Sequence, residues 1–379
     1  MRVIIGADVV PTESNIHLFA EGNVKELLGE ELFDLWNSCD VRIFNLEVPI
    51  TDKKSPINKC GPNLIAPAST VKGIKALNPT LVTLANNHIL DQGVEGFRDT
   101  VELLKKYGID FIGAGYDVFQ ACRPFIIQKD DIKVGIYACA EHEFSIATDK
   151  SPGANPFDPL ESLDHIMALR SECNYVIVLY HGGKEHYRYP SPYLQKVCRK
   201  IVEKGADLVI CQHSHCIGCY EIYNGSIIVY GQGNFIFDKN DNEYWKTSLM
   251  IKVAIDEKPV IEYVPVKKVR NVIRLAIGKE ADEILQAFIK RSEEILQKDF
   301  ISQQYRKFAY ENYFNYIRSL AGFGKWLSRL DRKLLNNRLV RHKYNKKQLL
   351  AVQNYVECES HRELFLQGLS SKIQEDNKI

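Results

Sequence analysis

Short apolar, β-branched runs recur along the chain as far as about residue 270, with stretches of helical period between several of them, and this alternation is what most limits the possible folds. Residues 2–6, 41–45, 80–84, 109–113, 133–138, 174–180 and 207–211 read as buried strands. Between them, residues 94–107 read as a helix with Val94, Phe97, Val101 and Leu104 on one face, and residues 192–204 as a second helix. Each precedes a strand, as a βαβ crossover requires. The expected fold class is therefore α/β. After Asn234 the pattern turns to antiparallel strands at 248–255 and 260–266, joined by a turn at 256–259. Residues 51–68 and 141–159 carry turn formers with little periodicity, the first reading as a loop or lid and the second as a loop. Beyond about residue 275 the chain reads as helical. The expected domains are thus 1–274 and 275–379.

Polar residues interrupt the apolar runs at their ends, where open α/β sheets place their sites. Asp8 follows the first run, and Asn45 and Glu47 close the second. Asn86, Asn87, His88 and Asp91 follow the third, and His181 and the pair His213 and His215 come later. Gathered at one edge, Asp8, Glu47, Asn87, His181, His213 and His215 offer carboxylates, an amide oxygen and imidazoles. Such a mixed N/O set suits two divalent ions, with Mn, Fe or Zn expected. Taken singly, each has a blander explanation: Asp8 as a turn residue, His88 as a cap, His181 before two glycines as a tight turn. His213 and His215 would share a face on a strand, or could grip neighbouring metals from a loop.

The ordered motifs Gly6-Ala7-Asp8, Asn45-Leu46-Glu47, Ala85-Asn86-Asn87-His88 with Asp91 and Gly93, His181-Gly182-Gly183-Lys184-Glu185, His213-Ser214-His215 and Gly231-Gln232-Gly233-Asn234-Phe235 resemble a known family. It is the bacterial capsule-synthesis CapA family, the poly-γ-glutamate capsule proteins, a branch of the calcineurin-like metallophosphoesterases. The resemblance covers about residues 2–240. It implies a four-layer αββα sandwich with metals at the strand ends. It also implies bridging roles for Asp8 and Glu47, one metal held by Asn87, His181 and His213, and the other held by His215. His88 resembles the histidine that stabilises charge or protonates a leaving group, with Asp91 to orient it. Val10 stands where the wider superfamily has a histidine, and Ile89 where it has an acid. The activity implied is a metal-dependent hydrolase of capsule or exopolymer biosynthesis, acting on a phosphoester or an amide of the polymer; a non-catalytic accessory or transport role is the alternative.

Other residues are expected near the site. Asn45, Glu185, His186 and Asn234 are candidates for substrate binding or support, Asn234 by anchoring a turn through hydrogen bonds. Lys53, Lys54, Lys59 and Lys184 would either line the cleft or sit as solvated charge. The ten cysteines, spread through a chain with ample apolar sequence, read as reduced core thiols, Cys216 and Cys219 included.

The net charge of +1 conceals a local excess. Residues 320–347 hold nine Lys and Arg against one acid, Asp331. Phe323, Trp326, Leu327, Leu330 and Leu334 fall on one helical face, with Lys325, Arg329, Arg332 and Lys333 assigned to the opposite one. The pattern suits peripheral contact with an anionic membrane or polymer, or a helix docked on its own domain. Nucleic acid is not expected, since no binding module is recognisable. No apolar run reaches the roughly 18–20 residues that span a bilayer, and the first residues do not read as a secretory signal. The expected location is cytoplasmic, possible membrane contact being with the inner face.

Overall fold

The computed structural model describes residues 1–239 and 241–376. Two mixed sheets form the body. The strands of the first are β1 (Arg2–Val10), β2 (Val41–Leu46), β3 (Leu81–Thr83) and β4 (Phe111–Ile112), together with four later ones. A two-stranded ribbon follows, of β5 (Ala114–Gly115) and β8 (Gly153–Ala154). The second sheet comprises β6 (Phe125–Lys129), β7 (Ile132–Ala140), β9 (Tyr175–His181), β10 (Leu208–Gln212), β11 (Tyr220–Tyr223) and β12 (Ser226–Val229). The chain then returns to the first sheet as β13 (Asn234–Phe237), β14 (Thr247–Ala254), β15 (Val260–Val269) and β16 (Val272–Leu275).

In the first sheet the order is β16-β15-β14-β1-β2-β3-β4, and in the second β11-β12-β10-β9-β7-β6. Alternation along the second sheet explains the layering. Ile177 and Leu179 of β9 and Leu208 and Ile210 of β10 join the core shared with the first sheet. Val176, Val178, Tyr180, Val209 and Cys211 point the other way, onto Leu194, Cys198 and Ile201 of the helix Pro192–Glu203. Buried on both faces, these strands must be apolar throughout, which is why they read as uninterrupted runs. The result is a four-layer α/β sandwich with a helical extension.

Several expectations shift. In the helix Gly93–Lys106, Val94 is exposed and only Phe97, Val101 and Leu104 of the expected face are buried, because the first turn runs over the surface. The strand expected over 109–113 is cut short by Gly113 at φ +77°, where a Cβ would meet that of Ala85 at 2.6 Å. The division between compact units falls after Ser302 rather than after residue 274. Phe288 accounts for this: the helix Gly278–Glu294 buries it against Tyr220 and Tyr263, with ring centroids 5.2 and 4.9 Å away. From Gln303 on, the described chain is helical, with Lys325–Lys333, Arg338–Lys343, Lys346–Glu357 and Glu359–Asp376 following Phe300–Leu320. Within this second unit Arg318 and Asp331 form a buried ion pair at 3.3 Å. The described cysteines are all unbridged. Among the described residues no helix is long and apolar enough to cross a membrane.

Candidate metal centre

The register of β1 brings the site together. The first half of this strand pairs with β14, and after an irregularity between Ile5 and Asp8 its second half pairs with β13. Asp8 thereby lies between Asn45 on β2 and Asn234 on β13. In the second sheet His181 ends β9 opposite Gln212, the last residue of β10. His213 and His215 follow in a loop, not on a strand, with φ of 84° and 53°. Left-handed backbone at two non-glycine residues is strained, and the packing around them holds it.

Four lone-pair atoms converge. Around His181 Nε2 lie Asn87 Oδ1 at 3.1 Å, His213 Nδ1 at 3.2 Å and Glu47 Oε1 at 3.2 Å. Two imidazoles can supply at most a proton or two to such a group, and neither oxygen of Glu47 has a hydrogen-bond partner. Beside it, Asp8 Oδ1 accepts from Asn45 Nδ2 at 2.7 Å, whereas Oδ2 is unpartnered, 3.7 Å from His215 Nδ1. The protein places a Glu47–His181–His213 group next to an Asp8–Glu47–His215 group, with Glu47 common to both.

Electrostatics agree with the geometry. Burial, reinforced by the nearby Glu47, pushes the Asp8 carboxyl up to about 7, and burial does the same to Glu47. His181 and His213 are held below the ordinary histidine range by burial, and His215 is pushed down to about 3. Neutral imidazoles are the form that binds metals. Buried carboxylate oxygens without partners are costly unless a cation faces them, so the residues present fit two divalent ions.

Around this cluster the supporting atoms are well defined. Asn86 Nδ2 donates to Asn45 Oδ1 and to the Leu46 carbonyl, tying the turn after β3 to β2. His215 Nδ1 lies 2.8 Å from Asn234 Oδ1, so Asn234 steadies a histidine. His88 Nδ1 donates to Asp91 Oδ2 at 2.6 Å. The His186 ring accepts from Trp245 Nε1 at 2.9 Å and stacks on Tyr244. A pocket of about 460 Å³ opens above, lined in part by Asn87, His88, Glu185, His186, His215 and Trp245.

The structure also brings in residues that the motifs do not contain. Lys59 is buried, paired with Asp91 and 3.2 Å from His88 Nδ1. Of its loop neighbours, Lys53 pairs with Glu95 and Asp99 in solvent, and Lys54 is exposed, as is Lys184. Glu143 accepts from Asn87 Nδ2 at 2.7 Å, and Phe144 and Trp245 form apolar wall. Their only sequence signal is position within or beyond a loop that crosses a strand end.

A two-sheet α/β sandwich with a buried carboxylate and histidine cluster at its strand ends defines an α/β protein with a candidate two-metal centre. Within that class the chain belongs to the family of bacterial capsule synthesis proteins described as PGA_cap, whose model matches residues 3–239. It is 30% identical over 210 residues to the PGA biosynthesis protein CapA of Bacillus subtilis, covering 54% of this chain and 55% of that one. It is 32% identical over 206 residues to the capsule biosynthesis protein CapA of Bacillus anthracis, covering 52% and 50%. The matched region thus spans about half the length of these relatives. A solved phosphatase from Mycoplasma pneumoniae aligns at 13% identity with a TM-score of 0.44, over 71% of this chain and 94% of that one, a likeness too slight to assign a function.

Proposed function

We propose that this chain is a two-metal hydrolase of capsule or exopolymer biosynthesis, cleaving a phosphoester or an amide such as a γ-glutamyl bond. The observation that carries the reading is the set of buried, unpartnered oxygens of Asp8 and Glu47 facing three neutral imidazoles. Asp8, Glu47, Asn87, His181, His213 and His215 are the residues that would hold the ions. Two divalent cations bound there, Mn, Fe or Zn by the donor set, supply Lewis acidity and a water activated near neutral pH.

The remaining roles belong to the protein. His88 lines the pocket in the tautomer whose Nδ1–H is donated to Asp91, so Nε2 is the nitrogen left to act, and it would hand a proton to a leaving group only from the doubly protonated ring. Asp91 fixes that tautomer, and Lys59 holds Asp91 from the other side. Glu185, His186 and Lys59 border the space a substrate would occupy. One feature favours a non-catalytic accessory role instead: Val10 is buried at the end of β1 and contributes no donor where the wider superfamily has a histidine.

Metal content measured after mild purification is expected to approach two ions per chain. Metal-loaded protein is expected to turn over generic phosphoesters or poly-γ-glutamate, and His88→Ala and Asp8→Ala to abolish the activity. Turnover that survives both substitutions would sink the hydrolase reading, whereas bound metal without turnover would leave the accessory role standing.

A further inference from the structure

The helix Lys325–Lys333 leaves large apolar side chains in water. Trp326 is 80% exposed and Leu334, its C-terminal neighbour, 75%, with Leu327 and Leu330 also exposed. Trp326, Leu330 and Leu334 share a groove of about 290 Å³ with Arg329 and Lys333. Arg329 and Lys333 thus flank the apolar stripe rather than lying opposite it, and the Arg329 guanidinium sits 5.9 Å from the Trp326 ring. The one acid in residues 320–347, Asp331, is buried against Arg318, so no carboxylate within that segment offsets these cations at the surface.

We propose that this face docks on an anionic lipid bilayer, with Trp326, Leu330 and Leu334 entering the headgroup boundary and Lys325, Arg329 and Lys333 meeting lipid phosphates. Two features choose this occupant. A helix with an apolar stripe edged by Lys and Arg matches the interface, where tryptophan is favoured and each basic side chain gains from the negative surface. An anionic polymer in water would use the cations and leave Trp326 and Leu334 uncovered, so it accounts for half of the surface only.

The protein carries its own reporter. Of its three tryptophans, Trp36 and Trp245 are buried and Trp326 alone is open to solvent. Full-length protein is mixed with vesicles of phosphatidylglycerol and phosphatidylcholine at low salt. It is expected to float with them, its emission shifting to the blue and quenched by brominated acyl chains, and to release as salt rises. Replacing Lys325, Arg329 and Lys333 by Gln is expected to weaken vesicle binding about a hundredfold. The triple change Trp326→Ser, Leu330→Ser and Leu334→Ser is expected to remove it, with far-ultraviolet circular dichroism unchanged. Failure of the wild type to float, or an unshifted emission in the floated fraction, overturns the proposal. So does binding that survives the serine substitutions, equal capture by soluble poly-γ-glutamate, or a lipid-free dimer that itself shields Trp326.

Discussion

The α/β body and the C-terminal helical unit leave opposite things unsatisfied. In the body, residues 1–302, polar atoms are buried without partners: Asp8 Oδ2 and both oxygens of Glu47 sit among imidazoles. In the unit after Ser302, apolar groups are the ones left over, with Trp326, Leu334 and Leu364 in water while its central ion pair, Arg318 with Asp331, is fully enclosed. A protein tolerates a buried unpaired carboxylate where a cation is to come, and an exposed tryptophan where an apolar surface is to come. The two regions therefore point to different ligands.

The largest expected effect tests the first half of that contrast. Asp8→Asn keeps the shape of the side chain and removes the charge, so metal affinity is expected to fall by on the order of a thousandfold or more, beyond the ten- to hundredfold typical of an outer partner. The same substitution relieves a buried, unpartnered oxygen, and the metal-free protein is expected to melt at a higher temperature than metal-free wild type. Calorimetric titration and thermal unfolding of the two stripped proteins check both signs. A lower melting temperature for stripped Asp8→Asn would show that the oxygen is satisfied without metal.

Next in size is a pair of tryptophan substitutions that sets body against extension. Trp36 is fully buried, packs 5.1 Å from Phe235 and donates through Nε1 to the Leu77 carbonyl at 2.7 Å. Trp36→Ala is expected to cost about 3–5 kcal/mol, and Trp326→Ala no more than ~0.5 kcal/mol. Denaturant unfolding reads both. A large loss from Trp326→Ala would mean that this ring is covered by protein, which would erase the contrast and the lipid proposal with it.

The body was legible in the sequence for the same reason that its site was. Strands of the second sheet are buried on both faces, so they must be apolar throughout, and a polar residue at their end stands out: His181 after Tyr175–Tyr180, His213 after Leu208–Gln212. Asp8, Glu47 and Asn87 stood out likewise, and the six motif residues do converge. Glu143 gave no such signal, and Lys59 stood only as one of four lysines that could line the cleft or sit as solvated charge. They reach the site from loops whose course is set by packing, 56 residues from Asn87 in one case and 32 from Asp91 in the other. Loop composition says that a loop exists and not where it crosses. Val94 was misread because periodicity assigns a helix face without saying where the first turn meets solvent, and the basic residues near Trp326 because a helical wheel drawn as two opposite faces hides residues at the boundary.

The titration of the site gives a third effect, felt in the body alone. With Asp8 and Glu47 raised to about 7, both carboxyls carry protons in the metal-free protein below that pH, whereas His181, His213 and His215 are already neutral. A divalent cation must therefore displace protons from the carboxylates and almost none from the imidazoles. Affinity is expected to fall as the pH drops below about 7, approaching tenfold per pH unit for each proton released, and to level off above it. Titration calorimetry in buffers of different ionisation enthalpy counts those protons. Vesicle binding by the helical unit, resting on Lys and Arg, is expected to be flat over the same range, and a parallel decline in both would deny that the two regions are electrostatically distinct.

The smallest effect probes how far the site extends into its loops. Asn87 has one oxygen and one nitrogen to place, and Glu143 decides which goes where. By accepting from Nδ2 at 2.7 Å it leaves Oδ1 turned toward His181 Nε2, among the atoms that would hold a metal. In Glu143→Gln the new amide can donate as well as accept, so the Asn87 amide is free to flip and present its NH2 to the cluster, where a cation has no use for it. Glu143 itself is exposed, so the substitution is expected to leave stability within ~0.5 kcal/mol of wild type. Metal affinity is expected to fall about ten- to hundredfold, the range for a partner that orients a ligand. Glu143→Asp, shorter but still only an acceptor, is expected to recover part of the loss. Equal affinity in wild type and Glu143→Gln would mean that Asn87 is oriented by the cluster itself, and the boundary of the site would then retreat from the loop to the strand ends.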